Sequence, residues 1–175
     1  FDDGSGLVDP EIVRTLKLPR QLQGCVEDDI LRNQYIREEE RGIWKFDADP
    51  SGSKEGVLID TVGPHIAADV EGLTLYYASE NDGYLIASSQ GDNTYTIYSR
   101  GDVNNFIGRF SVVDSETIDG TSSTDGIDVC NMGLGGKLSD GIFIVQDDVN
   151  DVGNQNFKII SWGAIASIFN PPLEI

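Results

Sequence analysis

The sequence predicts an all-β protein, specifically a β-propeller with about three four-stranded blades, and three observations support this. The chain has 20 glycines among 175 residues, as expected of many short strands joined by tight turns. Short apolar, β-branched and aromatic runs alternate with Asn, Asp and Gly turns. A polar residue followed by Gly opens three successive units at Gln23, Glu71 and Asp125, with spacings of 48 and then 54 residues. That period is typical of propeller blades.

The repeat divides the chain into blades. We expect residues 1–21 to hold a strand of a preceding blade, and the blades themselves to span residues 22–63, 64–114 and 115–175. Residues 12–18 alternate well enough for that first strand, and a short helix capped at Asp9 is the alternative. A β-sandwich is the competing architecture, because it does not require this period.

The predicted strands follow the same order in each unit, and one helical turn is expected near residues 164–169. The strands are expected at residues 24–26, 34–36, 42–46 and 56–59 in the first blade, 71–77, 84–87, 95–98 and 106–113 in the second, and 126–130, 141–145 and 156–162 in the third.

The charge balance excludes two classes of partner. Thirty acidic residues against 12 basic ones give a formal net charge of −18. Nucleic acid and anionic membranes both need a positive surface, so neither is expected as a partner. No apolar run approaches the roughly 20 residues of a membrane span. The sequence starts at Phe1 without a signal peptide, so we expect any targeting segment to be missing or already removed. The acidic balance suits cation binding or a secreted protein, and we expect this protein to be secreted.

Other motifs give little support to alternative chemistries. Cys25 and Cys130 lie in apolar strand-like runs without metal-type spacing, so we expect buried free thiols, with a disulfide as the alternative. A single histidine, His65, and the lack of a Gly-x-Ser-x-Gly motif argue against a Ser-His-Asp hydrolase.

Two carboxylates flank one valine at the start of a predicted hairpin. In a strand, the side chains of Asp69 and Glu71 point the same way and that of Val70 the other. Like charges this close repel unless a cation lies between them, and Ca²⁺ accepts several carboxylates at once. Because the first strand of every propeller blade lines the central channel, the repeated polar positions are expected to converge near its axis. A solvated strand edge is the alternative interpretation.

Four segments resemble the β-propeller phytases of Bacillus type. They are YIREEERGIWKF (35–46), DVEGLTLYYASENDGYLIASSQG (69–91), DGTSSTDGIDV (119–129) and NQNFKIISW (154–162). The resemblance implies a six-bladed, Ca²⁺-dependent phosphomonoester hydrolase, a 3-phytase that acts on phytate or calcium-phytate. This chain would then supply about the C-terminal half of the propeller, with the remaining blades or a second copy as its partner.

The resemblance also implies site residues. Glu39, Asp69 and Glu71 would be catalytic and, together with Gln90, would bind Ca²⁺ at the channel mouth. Further calcium ligands, with a more structural role, would be Asp119, Asp125, Asp147 and Asn150.

The sequence departs from the family pattern at Gln23, where a Glu is usual, and at Ser123, where an Asp is usual. The loss of a charge at Gln23 predicts weaker calcium affinity. The alternative function is an incomplete propeller that acts as a calcium-binding or structural module without activity of its own.

Overall fold

The computed structural model describes Gly4, Gly6 and residues 10–175. Its strands form three antiparallel sheets in the orders β1-β2-β3-β4, β5-β6-β7-β8 and β11-β10-β9. The strands are β1 (Leu22–Asp28), β2 (Asn33–Glu38), β3 (Gly42–Asp47), β4 (Val57–Thr61), β5 (Val70–Tyr77), β6 (Gly83–Ser89), β7 (Thr94–Ser99), β8 (Phe106–Phe110), β9 (Ile127–Cys130), β10 (Ile142–Asp147) and β11 (Asn156–Ser161). The helix α1 spans Trp162–Ser167, and short 3₁₀ turns span Gln90–Asp92 and Gly136–Leu138.

The three sheets are arranged as neighbouring propeller blades. Each sheet follows chain order outward from its first strand, and the first strands lie side by side, β1 against β5 and β5 against β9. The prediction of an all-β propeller is therefore confirmed. No helix in the described part of the chain has the length and apolar character needed to cross a bilayer.

The middle blade is buried on both of its faces. In β6, Leu85 and Ala87 pack into a core shared with the first blade, while Tyr84 and Ile86 pack into a core shared with the third. Because side chains alternate across a strand, a blade between two others needs apolar residues at nearly every position. This accounts for the continuous apolar run in β6.

The third sheet has three strands, one fewer than each of the other two sheets, and these match the three runs expected in this blade. After β11 the side chain of Ser161 accepts a hydrogen bond from the Ala164 N–H at 3.4 Å and caps α1. The helix buries Trp162 and Ile165 in the core between the second and third blades. Its first residue stacks on Tyr76 with ring centroids 4.1 Å apart. Helix capping and this burial stabilise α1 after the third strand of the blade.

The strand expected at residues 12–18 is absent, and so is the alternative helix, since residues 10–18 have no regular structure. This segment is attached by a side chain instead of a main-chain ladder. The Arg14 guanidinium donates to the carbonyls of Asp47 and Asp49 at 2.6 and 2.7 Å. Ile12 and Val13 remain exposed.

The two cysteines are free, but the expectation that both are buried is wrong. Cys130 is half-buried and Cys25 is exposed. On β1, Val26 packs towards the second blade. Cys25 therefore points to the opposite face, which no other described sheet covers.

Candidate functional site

The repeated glycines bring the starts of the three innermost strands together. A Cβ at Gly24 would lie 2.9 Å from the carbonyl oxygen of Glu71, and one at Gly72 would lie 2.8 Å from the main-chain nitrogen of Ile127. Such distances leave no space for a side chain, so glycine allows each blade to approach the next at the axis. The polar residues beside these glycines consequently lie at one end of the channel.

Main-chain hydrogen bonds place three predicted site residues at this end. The Val70 N–H donates to the carbonyl of Glu39 at 3.4 Å, and the Gln90 N–H donates to the carbonyl of Asp69 at 2.9 Å. These contacts join the end of β2, the start of β5 and the end of β6. Asp69 is half-buried there, and Gln90 follows the last residue of β6.

Five side chains form what we call the axial cluster: Arg37, Glu39, Glu71, Gln90 and Asp125. Arg37 Nη2 donates to Glu71 Oε2 in a buried ion pair. Gln90 Nε2 donates to Asp125 Oδ1 at 2.8 Å. Asp125, which the sequence grouped with the structural calcium ligands, thus lies beside the residues predicted for catalysis.

Burial and neighbouring charges shift the pKa values of the central pair. Burial raises the pKa of Glu71, the Arg37 guanidinium opposes this, and the charges of Asp125 and Glu39 add to the rise. Burial lowers the pKa of Arg37, against the carboxylates of Glu71, Glu39 and Asp125, which favour its charged form. The charged states of Arg37 and Glu71 therefore depend on each other and on the neighbouring carboxylates.

Arg37 is not among the site residues that the sequence predicted. Its side chain is 1% exposed, and its Nε and Nη1 atoms are buried without a hydrogen-bond partner among the described residues. Strand alternation contained a signal, because Arg37 lies two residues after the buried Tyr35 and so shares its face. A charged residue at an apolar position of a strand indicates a buried charge with a specific partner.

The other predicted calcium ligands surround a lysine. The Lys158 ammonium donates to Asp119 Oδ1 at 2.6 Å, Asp147 Oδ2 at 2.9 Å and Asn150 Oδ1 at 3.2 Å. The second carboxylate oxygens of the two aspartates also accept hydrogen bonds. Asp119 Oδ2 accepts from the Asp151 N–H, and Asp147 Oδ1 accepts from the Ser122 N–H.

The lysine is firmly held in its charged form. Burial alone lowers the pKa of Lys158, but the hydrogen bonds to Asp119 and Asp147 outweigh burial and raise it. The oxygens of Asp119, Asp147 and Asn150 therefore do not fit a metal ion while Lys158 remains in place. Calcium binding by these residues stays a prediction.

Comparison with known proteins decides the family. The profile of the family described as Phytase matches residues 1–175. The chain belongs to the phytase family. It is similar to the 3-phytase of Bacillus subtilis (strain 168), with 51% identity over 170 residues, which cover 94% of this chain and 44% of that protein. The chain thus spans less than half the length of this curated phytase.

The axial cluster has the donor chemistry that Ca²⁺ requires. Carboxylate and amide oxygens are the ligands this ion prefers. Three carboxylates against one guanidinium leave two negative charges, which a single Ca²⁺ balances. In the described part of the chain, however, no group of three or more His, Cys, Asp or Glu side chains is already arranged around a metal position. Glu71 is held by Arg37, so assembly of a metal site requires this carboxylate to change partner.

Proposed function

We propose that this chain forms about half of the catalytic propeller of a calcium-dependent phosphomonoester hydrolase that acts on phytate. The observation that carries the proposal is the convergence of Glu39, Glu71 and Asp125 at one end of the channel, in a chain of the phytase family. The name of the Bacillus subtilis relative, 3-phytase, supports phytate as the substrate.

The charges of substrate and site support a role for calcium. Phytate is strongly anionic, and the chain has a net charge of −18. Carboxylates cannot approach phosphate groups unless cations lie between them. Glu39, Asp69, Glu71 and Gln90 would hold Ca²⁺, which when bound supplies positive charge to the phosphoryl oxygens and lowers the pKa of bound water.

The main-chain hydrogen bonds suit this role because they fix the backbone positions of Glu39 and Asp69. The Glu39 carbonyl accepts a hydrogen bond from the first residue of β5, and the Asp69 carbonyl accepts one from the residue that follows β6. Rigid strands hold polar groups more accurately than free loops do. The acidic composition also fits a secreted protein.

Further blades are proposed to complete the ring. Phe157 and Ile159, on the same face of β11, are 70% and 59% exposed. Large apolar side chains side by side on a sheet face indicate a contact surface. The remaining blades of a longer chain, or a second copy of this one, would cover them.

The second candidate function is a calcium-binding or structural module without activity of its own. The pairing of Glu71 with Arg37 favours the structural form of this alternative, because this pairing removes one metal ligand. A direct assay separates the two functions. We expect phosphate release from phytate in Ca²⁺ and none in chelator, with a loss of at least about tenfold for Glu71→Gln.

Glu55→Gln is the control, since Glu55 is an exposed carboxylate on the outer part of the first blade. Calcium binding without phosphate release, even when the remaining blades are supplied, would favour the module. An equal loss in both variants would contradict the site.

A further inference from the structure

The Arg37–Glu71 pair is buried but incompletely hydrogen-bonded. Arg37 is 1% exposed and Glu71 is 8% exposed at their side chains. Two of the three guanidinium nitrogens, Nε and Nη1, have no partner in the described part of the chain. Buried donors without acceptors are uncommon in folded proteins, and each has a free-energy cost. The incomplete pairing therefore calls for a physical explanation.

The unused donors indicate the chemistry of the missing partner. A guanidinium has five N–H donors and no acceptor. Only an acceptor, and preferably an anion, can satisfy them. Phosphate matches the planar fork of arginine with two parallel hydrogen bonds. When Glu71 leaves, the complete Nε/Nη2 edge of Arg37 becomes available to such a group.

Glu71 also depends on this ion pair. Glu71 lies among the carboxylates of Glu39 and Asp125, and the guanidinium is the cation that offsets them. If Arg37 moves to an anion, the three carboxylates lose this cation. They then bind a divalent cation more strongly, because like charges at short range repel.

We propose that Arg37 and Glu71 exchange their mutual ion pair for two bound ions. Phosphate binds the Arg37 guanidinium only when Ca²⁺ binds the Glu71 carboxylate. The two ions replace the protein's internal ion pair as a set, and because the charges of Ca²⁺ and HPO₄²⁻ cancel, the net charge of the cluster is unchanged. Arg37 is thus a phosphate-binding residue for the proposed hydrolase, on whose metal site this inference rests. The consequence is positive linkage between calcium and phosphate.

Calcium and phosphate must each strengthen the binding of the other. Titration calorimetry with Ca²⁺, in the absence and presence of inorganic phosphate below its precipitation limit, should show tighter calcium binding with phosphate. Coupling between sites typically changes affinity by about 5- to 150-fold, and the same factor must apply to phosphate binding when Ca²⁺ is added. Wild-type protein without linkage would overturn the inference.

Two variants separate exchange from a purely structural role. Arg37→Met frees Glu71, so calcium binding without phosphate should tighten by roughly tenfold and lose its response to phosphate. A structural arginine would instead weaken calcium binding when removed. Glu71→Gln frees Arg37, so phosphate binding in chelator should become measurable. If Arg37→Met fails to fold, the wild-type linkage and Glu71→Gln still decide the matter.

The matched control is Arg109→Met. Arg109 also pairs with a carboxylate, Asp92, at 2.8 Å, but the two side chains are 38% and 33% exposed, and Arg109 lies on β8, the outermost strand of the second blade. This variant should keep the wild-type linkage. If Arg109→Met changed calcium and phosphate binding as much as Arg37→Met does, the assignment of Arg37 as the phosphate-binding residue would be contradicted. Wild-type protein that binds phosphate in chelator as well as in Ca²⁺ would overturn the exchange. No calcium binding in any variant would refute the proposed metal site itself.

Discussion

Two buried arginine–carboxylate pairs join the first and second blades, and they differ in how completely they are hydrogen-bonded. At the end of β1, Arg100 Nε and Nη2 donate to Asp28 at 2.6 and 2.9 Å, and both side chains are 0% exposed. The remaining nitrogen of Arg100 donates to the carbonyls of Ser79, Glu80 and Asp82. At the axial end, Arg37 has one ion-pair contact and two nitrogens without a partner.

Burial alone does not reveal what a charge does. A buried ion pair repays its desolvation only when its geometry is good and its remaining donors are satisfied. The Asp28–Arg100 pair meets that condition and acts as a structural link between blades. The Arg37–Glu71 pair does not meet it, so its unused donors are available to a ligand.

The largest expected effect comes from breaking the satisfied pair. Arg100→Met leaves Asp28 buried without a cation, so the free energy of unfolding should fall by about 3–5 kcal/mol. Urea denaturation followed by tryptophan fluorescence measures it. The double variant Asp28→Asn/Arg100→Met should recover part of the loss. A loss under about 1 kcal/mol would mean that this pair does not link the blades.

Arg37→Met should destabilise the fold less, by about 1–3 kcal/mol, because removal of two unpaired donors offsets part of the lost ion pair. The same urea experiment, carried out in chelator, compares the two arginines directly. Equal losses for Arg37→Met and Arg100→Met would contradict the distinction between the pairs.

The glycines of the repeat offer a finer comparison at the axial end. A Cβ at Gly24 would meet Glu71 O at 2.9 Å and Arg37 Nε at 3.2 Å, whereas one at Gly126 would meet nothing within 4 Å. Gly24→Ala should therefore cost about 1–3 kcal/mol and reduce phosphate release in the complete propeller. Gly126→Ala should do neither, as thermal melting and the phytate assay will show. Equal sensitivity would contradict the close approach of the first two blades.

The pH dependence of the Asp28–Arg100 pair is the smallest predicted effect. Burial by itself raises the pKa of Asp28, but the Arg100 hydrogen bonds and the Leu31 N–H outweigh it and lower this pKa below 3.8. The folded state therefore favours the carboxylate, and its contribution to stability is present above pH 3.8 and is lost as pH falls through the folded value. One carboxylate changes the unfolding free energy by at most about 1.4 kcal/mol per pH unit.

Urea midpoints at pH 7, 5, 4 and 3 test this dependence. Between pH 4 and 3, Arg100→Met should lose less stability than the wild-type protein, because the lowered pKa depends on the guanidinium. The same acid sensitivity in both proteins would assign the effect to other carboxylates.

The sequence was enough to predict the strands of the three blades, the propeller and the end of the channel where polar residues meet, but its expected strand at residues 12–18 is absent. Strands such as β6 depend on local periodicity and turn residues, and blades depend on a repeat that recurs along the chain. The repeated polar residues before Gly24 and Gly72 predicted convergence near the axis, and the structure adds that a side chain at either glycine would meet the next blade.

Which charges face one another depends on the tertiary packing of the blades. Arg37 and Glu71 are 34 residues apart and meet across two blades, Lys158 reaches Asp119 across 39 residues, and Asp28 meets Arg100 across 72. No local pattern specifies such pairs, because partners are chosen by how whole sheets pack. The packing of α1 is a further example, since its first residue, Trp162, is buried in the core beside Tyr76.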